Sequence, residues 1–109
     1  MRVALLVLLM HTTTACAAID PQSAPRDWPQ LTIDVRKVSY LEVLKRCSKY
    51  SPAPIACAEI YFRTMTCVVW VTQDAPKWVI DHELGHCGGA DHYGESTLRD
   101  AWASYKAIK

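Results

Sequence analysis

The chain has 109 residues, half of them apolar, and a formal net charge of +1. That length gives one small domain, whose core is small enough to call for a staple such as a disulfide or a metal. Without Arg2 the chain carries 11 basic and 11 acidic residues, a balance that gives no electrostatic case for nucleic acid or for a polybasic membrane surface.

Residues 1–17, MRVALLVLLMHTTTACA, place one arginine before an apolar run and small residues after it. The run falls short of the roughly 20 residues a membrane-spanning helix needs. Its order is that of a secretory signal. Two cuts stay open. Thr13-Thr14-Ala15-Cys16 resembles a bacterial lipobox, with Cys16 lipidated as the first mature residue and Thr13 where an aliphatic is usual. A cut after Ala17 would instead release a secreted or periplasmic protein. The lipobox is the preferred reading, and Ala17 beside the cysteine points to the outer membrane.

Residues 18–30 contain Pro21, Pro25 and Pro29 among polar residues and read as an extended tether. The domain then spans 31–109. Leu31 to Val35 is a short first strand. Ser39 to Tyr50 is a helix, with Ser39 as cap, Glu42 three residues on, and Leu41, Leu44 and Cys47 on one face. Ser51-Pro52-Ala53-Pro54 stops it. Ala58 to Phe62 and Thr66 to Thr72 form a hairpin, the second run (TCVVWVT) being the best strand in the chain. Asp74 and Pro76 start a second helix, Lys77 to about Cys87, which Gly88-Gly89 ends. Ser96 caps a last helix, Thr97 to about Ile108, with Leu98, Trp102 and Tyr105 (or Ala101) inward. The fold class is α+β, in the order helix, β-hairpin, helix, loop, C-terminal helix.

Beyond the leader lie Cys47, Cys57, Cys67 and Cys87, an even number that fits disulfides in an exported chain. Of the three pairings, Cys47 with Cys57 and Cys67 with Cys87 is preferred, since it ties each helix to a neighbouring loop or strand. Buried free thiols are the alternative. No Cys-x-x-Cys supports a cysteine metal site.

Three of the four histidines fall in DHELGHCGGADH, residues 81–92. On a helix, His82 and His86 differ by about 40° in angle and about 6 Å in height, so both can face one ion. Glu83 is rotated about 100° from His82, at the edge of that face. Ile80, Leu84 and Cys87 lie on the opposite side and can be buried. Were the helix to continue, His92 would sit about 15 Å along the axis from His82. The chain must turn back, and Gly88-Gly89 stands where that turn is needed. Three neutral imidazoles leave a fourth zinc position open, the layout of a catalytic site.

His82-Glu83-Leu84-Gly85-His86-Cys87-Gly88-Gly89-Ala90-Asp91-His92 resembles H-E-x-x-H-x-x-G-x-x-H, the signature of metzincin-type zinc metallopeptidases. The resemblance covers eleven residues and lacks the methionine turn of that family, since no methionine follows Met65. It implies a minimal zincin-like domain with Zn2+ on His82, His86 and His92. It also implies Glu83 as general base for water attacking a peptide carbonyl. TCVVWVT resembles the zincin edge strand that pairs with an extended peptide. Asp91 and Glu95 are rival third ligands, and Asp100 is a rival ligand or an acceptor for an imidazole N–H. Tyr93 is a weaker candidate for polarising the carbonyl, and Trp78 reads as core more readily than as a wall of the site. The expected function is a zinc metallopeptidase of the cell envelope acting on a peptide or protein, with membrane attachment through Cys16 and no nucleic-acid partner. The alternative is a non-catalytic zinc-binding envelope lipoprotein.

Overall fold

A computed structural model describes residues 17–109; the leader and Cys16, residues 1–16, lie outside the described residues. The elements are β1 (Thr32–Val38), α1 (Tyr40–Cys47), β2 (Ala56–Tyr61), β3 (Thr66–Thr72), α2 (Lys77–Cys87) and α3 (Thr97–Ile108). The fold is a small α+β domain with a mixed three-stranded sheet in the order β1-β3-β2. β3 runs parallel to β1 and antiparallel to β2.

β3 is central, and this explains why TCVVWVT is an unbroken apolar run. Alternate residues of a strand point to opposite faces, and here both faces are covered. Val68 and Trp70 pack with Val43 and Cys47 of α1 and Cys57 of β2. Cys67, Val69 and Val71 pack with Val79 and Cys87 of α2. The centre position corrects the expectation that TCVVWVT is the peptide-binding edge. Its backbone is paired on both sides, and the free edge near α2 belongs to β2.

Each face has its own staple. Cys47–Cys57 joins the end of α1 to β2, and Cys67–Cys87 joins β3 to the last residue of α2, each with Cα atoms 5.6 Å apart. Losing the second bridge frees a loop of 20 residues, and chain entropy puts the cost at about 3 kcal/mol. A Cys67→Ser/Cys87→Ser variant is expected to lose that much in denaturant unfolding.

Ser39 caps α1 as read, its hydroxyl accepting from the Glu42 N–H at 3.2 Å. The buried face is Val43 and Cys47, whereas Leu41 is exposed. α1 ends at Cys47, one turn before Tyr50, because its disulfide and the following turn pull the chain toward β2. β1 runs three residues past Val35, since its pairing with β3 continues to Val38.

Glu59 of β2 is buried, and its carboxylate accepts from Tyr50 Oη at 2.8 Å, Trp70 Nε1 at 2.9 Å and Lys49 Nζ at 3.0 Å. Burial by itself would raise its pKa. The bonds from Lys49, Tyr50 and Trp70, with the Lys49 charge, outweigh that and hold the carboxyl below its usual value of 4.5. Such a group adds stability above pH 4.5 that is lost as pH falls through the folded-state value. Glu59→Gln is therefore expected to cost about 1–3 kcal/mol near neutral pH, with the deficit shrinking in acid. Denaturant midpoints at about pH 7 and about pH 3 check the sign.

Residues 18–30 are not a free tether. Ile19 forms an antiparallel bridge with His92, and Asp20 N–H donates to the Asp91 carbonyl at 2.8 Å. Trp28 donates its indole N–H to the Cys87 carbonyl at 2.9 Å, meeting one of the carbonyls left free at the end of α2. Its ring packs edge-on against Phe62 and Trp102, and Lys106 pairs with Asp27. Proline content set the extended shape but could not reveal these partners. α3 is held by the same cluster, through Trp102 and Tyr105.

Candidate metal centre

Pro76, with extended backbone, caps the start of α2, and Gly88 caps its end. Val79 and Cys87 are buried, and Ile80 and Leu84 pack beside them against the β3 cluster, as the spacing requires. His82 and His86 face away from that core, with ring centroids 5.0 Å apart.

The return of His92 depends on Gly89. Its φ is +91°, a left-handed value that side chains other than glycine's resist. Gly88 has φ −80° and is ordinary in this respect. A Cβ on Gly89 would lie 2.4 Å from Cδ2 of Trp28, so the docked segment also requires glycine there. Gly85 is a second close approach: its Cβ would lie 2.6 Å from Ile19 Cδ1. The segment 17–28 thus braces both the helix and the loop that carry the histidines.

The three rings meet at their Nε2 atoms. His92 Nε2 is 3.1 Å from His82 Nε2 and 3.1 Å from His86 Nε2. His86 Nδ1 lies 2.7 Å from the Ala90 carbonyl, and His92 Nδ1 lies 3.1 Å from a Glu95 carboxylate oxygen. A carbonyl and a carboxylate only accept, so the proton of each neutral ring sits on Nδ1. That leaves the Nε2 lone pairs of His86 and His92 pointing at one another, an arrangement that is repulsive without a cation between them. Tetrahedral ligands at a zinc–nitrogen distance of about 2.0–2.1 Å are about 3.3 Å apart, close to the spacing here. Burial, then the neighbouring imidazoles, lowers the His82 pKa; burial lowers that of His86 against the pull of the Ala90 carbonyl. Both favour the neutral ring, which is the ligand form. These three histidines can hold a metal ion.

The rival ligands are engaged elsewhere. The Asp91 carboxylate is buried and accepts from Leu98 N–H at 3.1 Å and Arg99 N–H at 3.4 Å, capping α3. It takes the place expected for Ser96, because an anion at a helix N-terminus meets both the free N–H groups and the dipole. Ser96 donates to Asp100 instead, and makes no cap bond. Glu95 sits behind His92 as a partner for its Nδ1, the role that fixes ring orientation. Tyr93 is exposed and does not line the cleft.

Glu83 is buried in the same cleft and has no hydrogen-bond partner among the described residues. Burial pushes its carboxyl up to about 7. The cleft, about 370 Å³, is walled on one side by His82, Glu83, His86 and His92 and on the other by residues of 50–58, including Tyr50, Ile55 and Ala58. Ala56 and Ala58 are small, which keeps space between β2 and the helix. The contribution of β2 and of Tyr50 was not readable from spacing, since it depends on which strand is outermost.

No protein-family model matches the chain, and no curated protein or solved structure matches it. The two disulfides fit an oxidising, exported setting, and no helix among the described residues is long and apolar enough to cross a membrane.

Proposed function

We propose that the protein is a zinc-dependent metallopeptidase of the bacterial cell envelope. The observation that carries the reading is the pairing of three convergent imidazole Nε2 atoms with a buried, unpartnered carboxylate, Glu83, in one cleft. His82, His86 and His92 would hold the zinc by Nε2, with Glu95 and the Ala90 carbonyl orienting two of the rings. Zinc bound there would supply Lewis acidity and make the attacking water acidic. Glu83 would accept a proton from a water attacking the peptide carbonyl and would donate it to the leaving amine nitrogen. A carboxyl with a pKa near neutrality suits both transfers, because it can take and release the proton at similar cost. The cleft walls exclude part of the solvent from these steps.

The substrate strand would lie along the outer edge of β2, the strand that borders the cleft. Export and lipidation at Cys16 belong to the same reading. Ala17 lines the cleft, so an anchor on Cys16 would hold the cleft close to the membrane surface. The test is cleavage of an unfolded protein by the zinc-loaded chain, compared with Glu83→Gln.

A further inference from the structure

A second cavity, about 430 Å³, is lined by Tyr40, Ile55, Thr72, Asp74, Ala75, Pro76, Trp78 and Val79. It adjoins the metal cleft, since Ile55 lines both. Tyr40, Ile55 and Trp78 are each exposed, Trp78 by 57%, and present large apolar surface to this cavity. Trp78 is one turn before His82 on α2, as His82 is one turn before His86, so all three share a helix face. The expectation that Trp78 belongs to the core is thereby corrected. Its neighbour Val79 points inward instead.

Trp78 on one wall and Ile55 on the other mark how far this cavity lies along the cleft. Trp78 and His82 are four helical residues apart, a rise of about 6 Å. Ile55 and Ala58 are three residues apart along the chain that becomes β2, about 10 Å when extended. An extended peptide advances about 3.3 Å per residue. A residue two or three positions from a carbonyl held at the Nε2 cluster would therefore reach the mouth of the cavity. Asp74 on the cavity wall opposes an acidic side chain there.

The geometry points to a specificity pocket. The Tyr40–Ile55–Trp78 cavity receives a large apolar or aromatic side chain of the bound peptide, two or three residues from the carbonyl at the histidines. This rests on the reading of the cleft as a peptide site, and deepens it by naming the side-chain class selected. Aromatic side chains suit the pocket, because ring burial against Tyr40 and Trp78 adds packing geometry to area.

The test does not need turnover. Fluorescently labelled heptapeptides of glycine and serine, with one Phe, Ala or Glu placed at successive positions, are titrated onto the Glu83→Gln protein with and without zinc. The Phe peptide is expected to bind at least about tenfold more tightly than the Ala peptide at one position, with the Glu peptide weakest. Trp78→Ala and, separately, Ile55→Ser should erase the Phe preference while leaving zinc affinity and far-UV circular dichroism unchanged. Equal binding of Phe and Ala peptides, a preference that survives both variants, or no binding of any peptide would each overturn the pocket. Failure of the peptidase reading shows separately, as wild-type cleavage no greater than that of Glu83→Gln.

Discussion

Glu83→Gln is expected to reduce peptide hydrolysis by about 10²–10⁴-fold while leaving metal binding intact. Gln keeps the shape of the side chain and loses the ability to accept a proton. The variant should also fold at least as well as the wild type. The Glu83 carboxyl is held up at about 7 by burial. A carboxyl whose folded pKa lies above its unfolded one makes the protein less stable as pH rises through that interval, because the unfolded state ionises more easily. Glutamine has no such penalty. Thermal unfolding of the metal-free proteins near neutral pH should therefore show Glu83→Gln equal to or above wild type, which separates loss of chemistry from loss of fold. Wild-type turnover no greater than that of the variant, together with strong stabilisation by zinc in both, would favour the non-catalytic zinc-binding domain.

The second large effect is expected for His86→Ala. His86 is fixed by its Nδ1 bond to Ala90 and places Nε2 3.1 Å from that of His92. Outer partners of a metal site alone are worth about 10–100-fold in affinity, so removing a ligand should cost at least about 100-fold. Zinc at about 1,000 times the wild-type Kd stabilises the wild type by about 4 kcal/mol, and the same concentration would stabilise the variant by about 1.4 kcal/mol or less. Isothermal titration, with metal analysis of the purified chain, measures the affinity. The Tm shift on adding zinc measures the linkage. A variant that binds zinc as tightly as the wild type would remove His86 from the centre, and the peptidase reading with it.

Two local rules bring His82, His86 and His92 toward one another. Helical spacing puts the first two on one face, and a left-handed glycine turns the third back. The same logic fixed the opposite, apolar stripe of α2 and the ends of that helix. The third ligand was different. Asp91, Glu95 and Asp100 are each a plausible ligand by chemistry and distance along the chain. What separates them is the start of α3, which draws Asp91 to its free N–H groups, and the Ser96 hydroxyl, which takes Asp100. The Asp91 bonds to Leu98 and Arg99 exist only once α3 has formed against the histidine loop.

The strand that borders the cleft shows the same division. TCVVWVT reads as a buried strand from its composition, yet composition does not say which neighbour lies on either side. Parallel pairing with β1 puts it in the centre and passes the free edge to β2. Trp78 looks like core by residue type, and its exposure follows from sharing the His82 face. Residues 18–30 look like a linker, and Trp28 holds them down through Cys87 and Gly89.

Periodicity, caps, turn glycines and cysteine count are local properties, and by themselves they determined the α+β class, the element order and a histidine set on one helix face. Strand order, the capping role of Asp91, the brace from residues 17–28 and the place of Ile55 between two cavities were decided only by the tertiary structure. Each of these depends on contacts between segments distant in the chain, whose energies no local window contains.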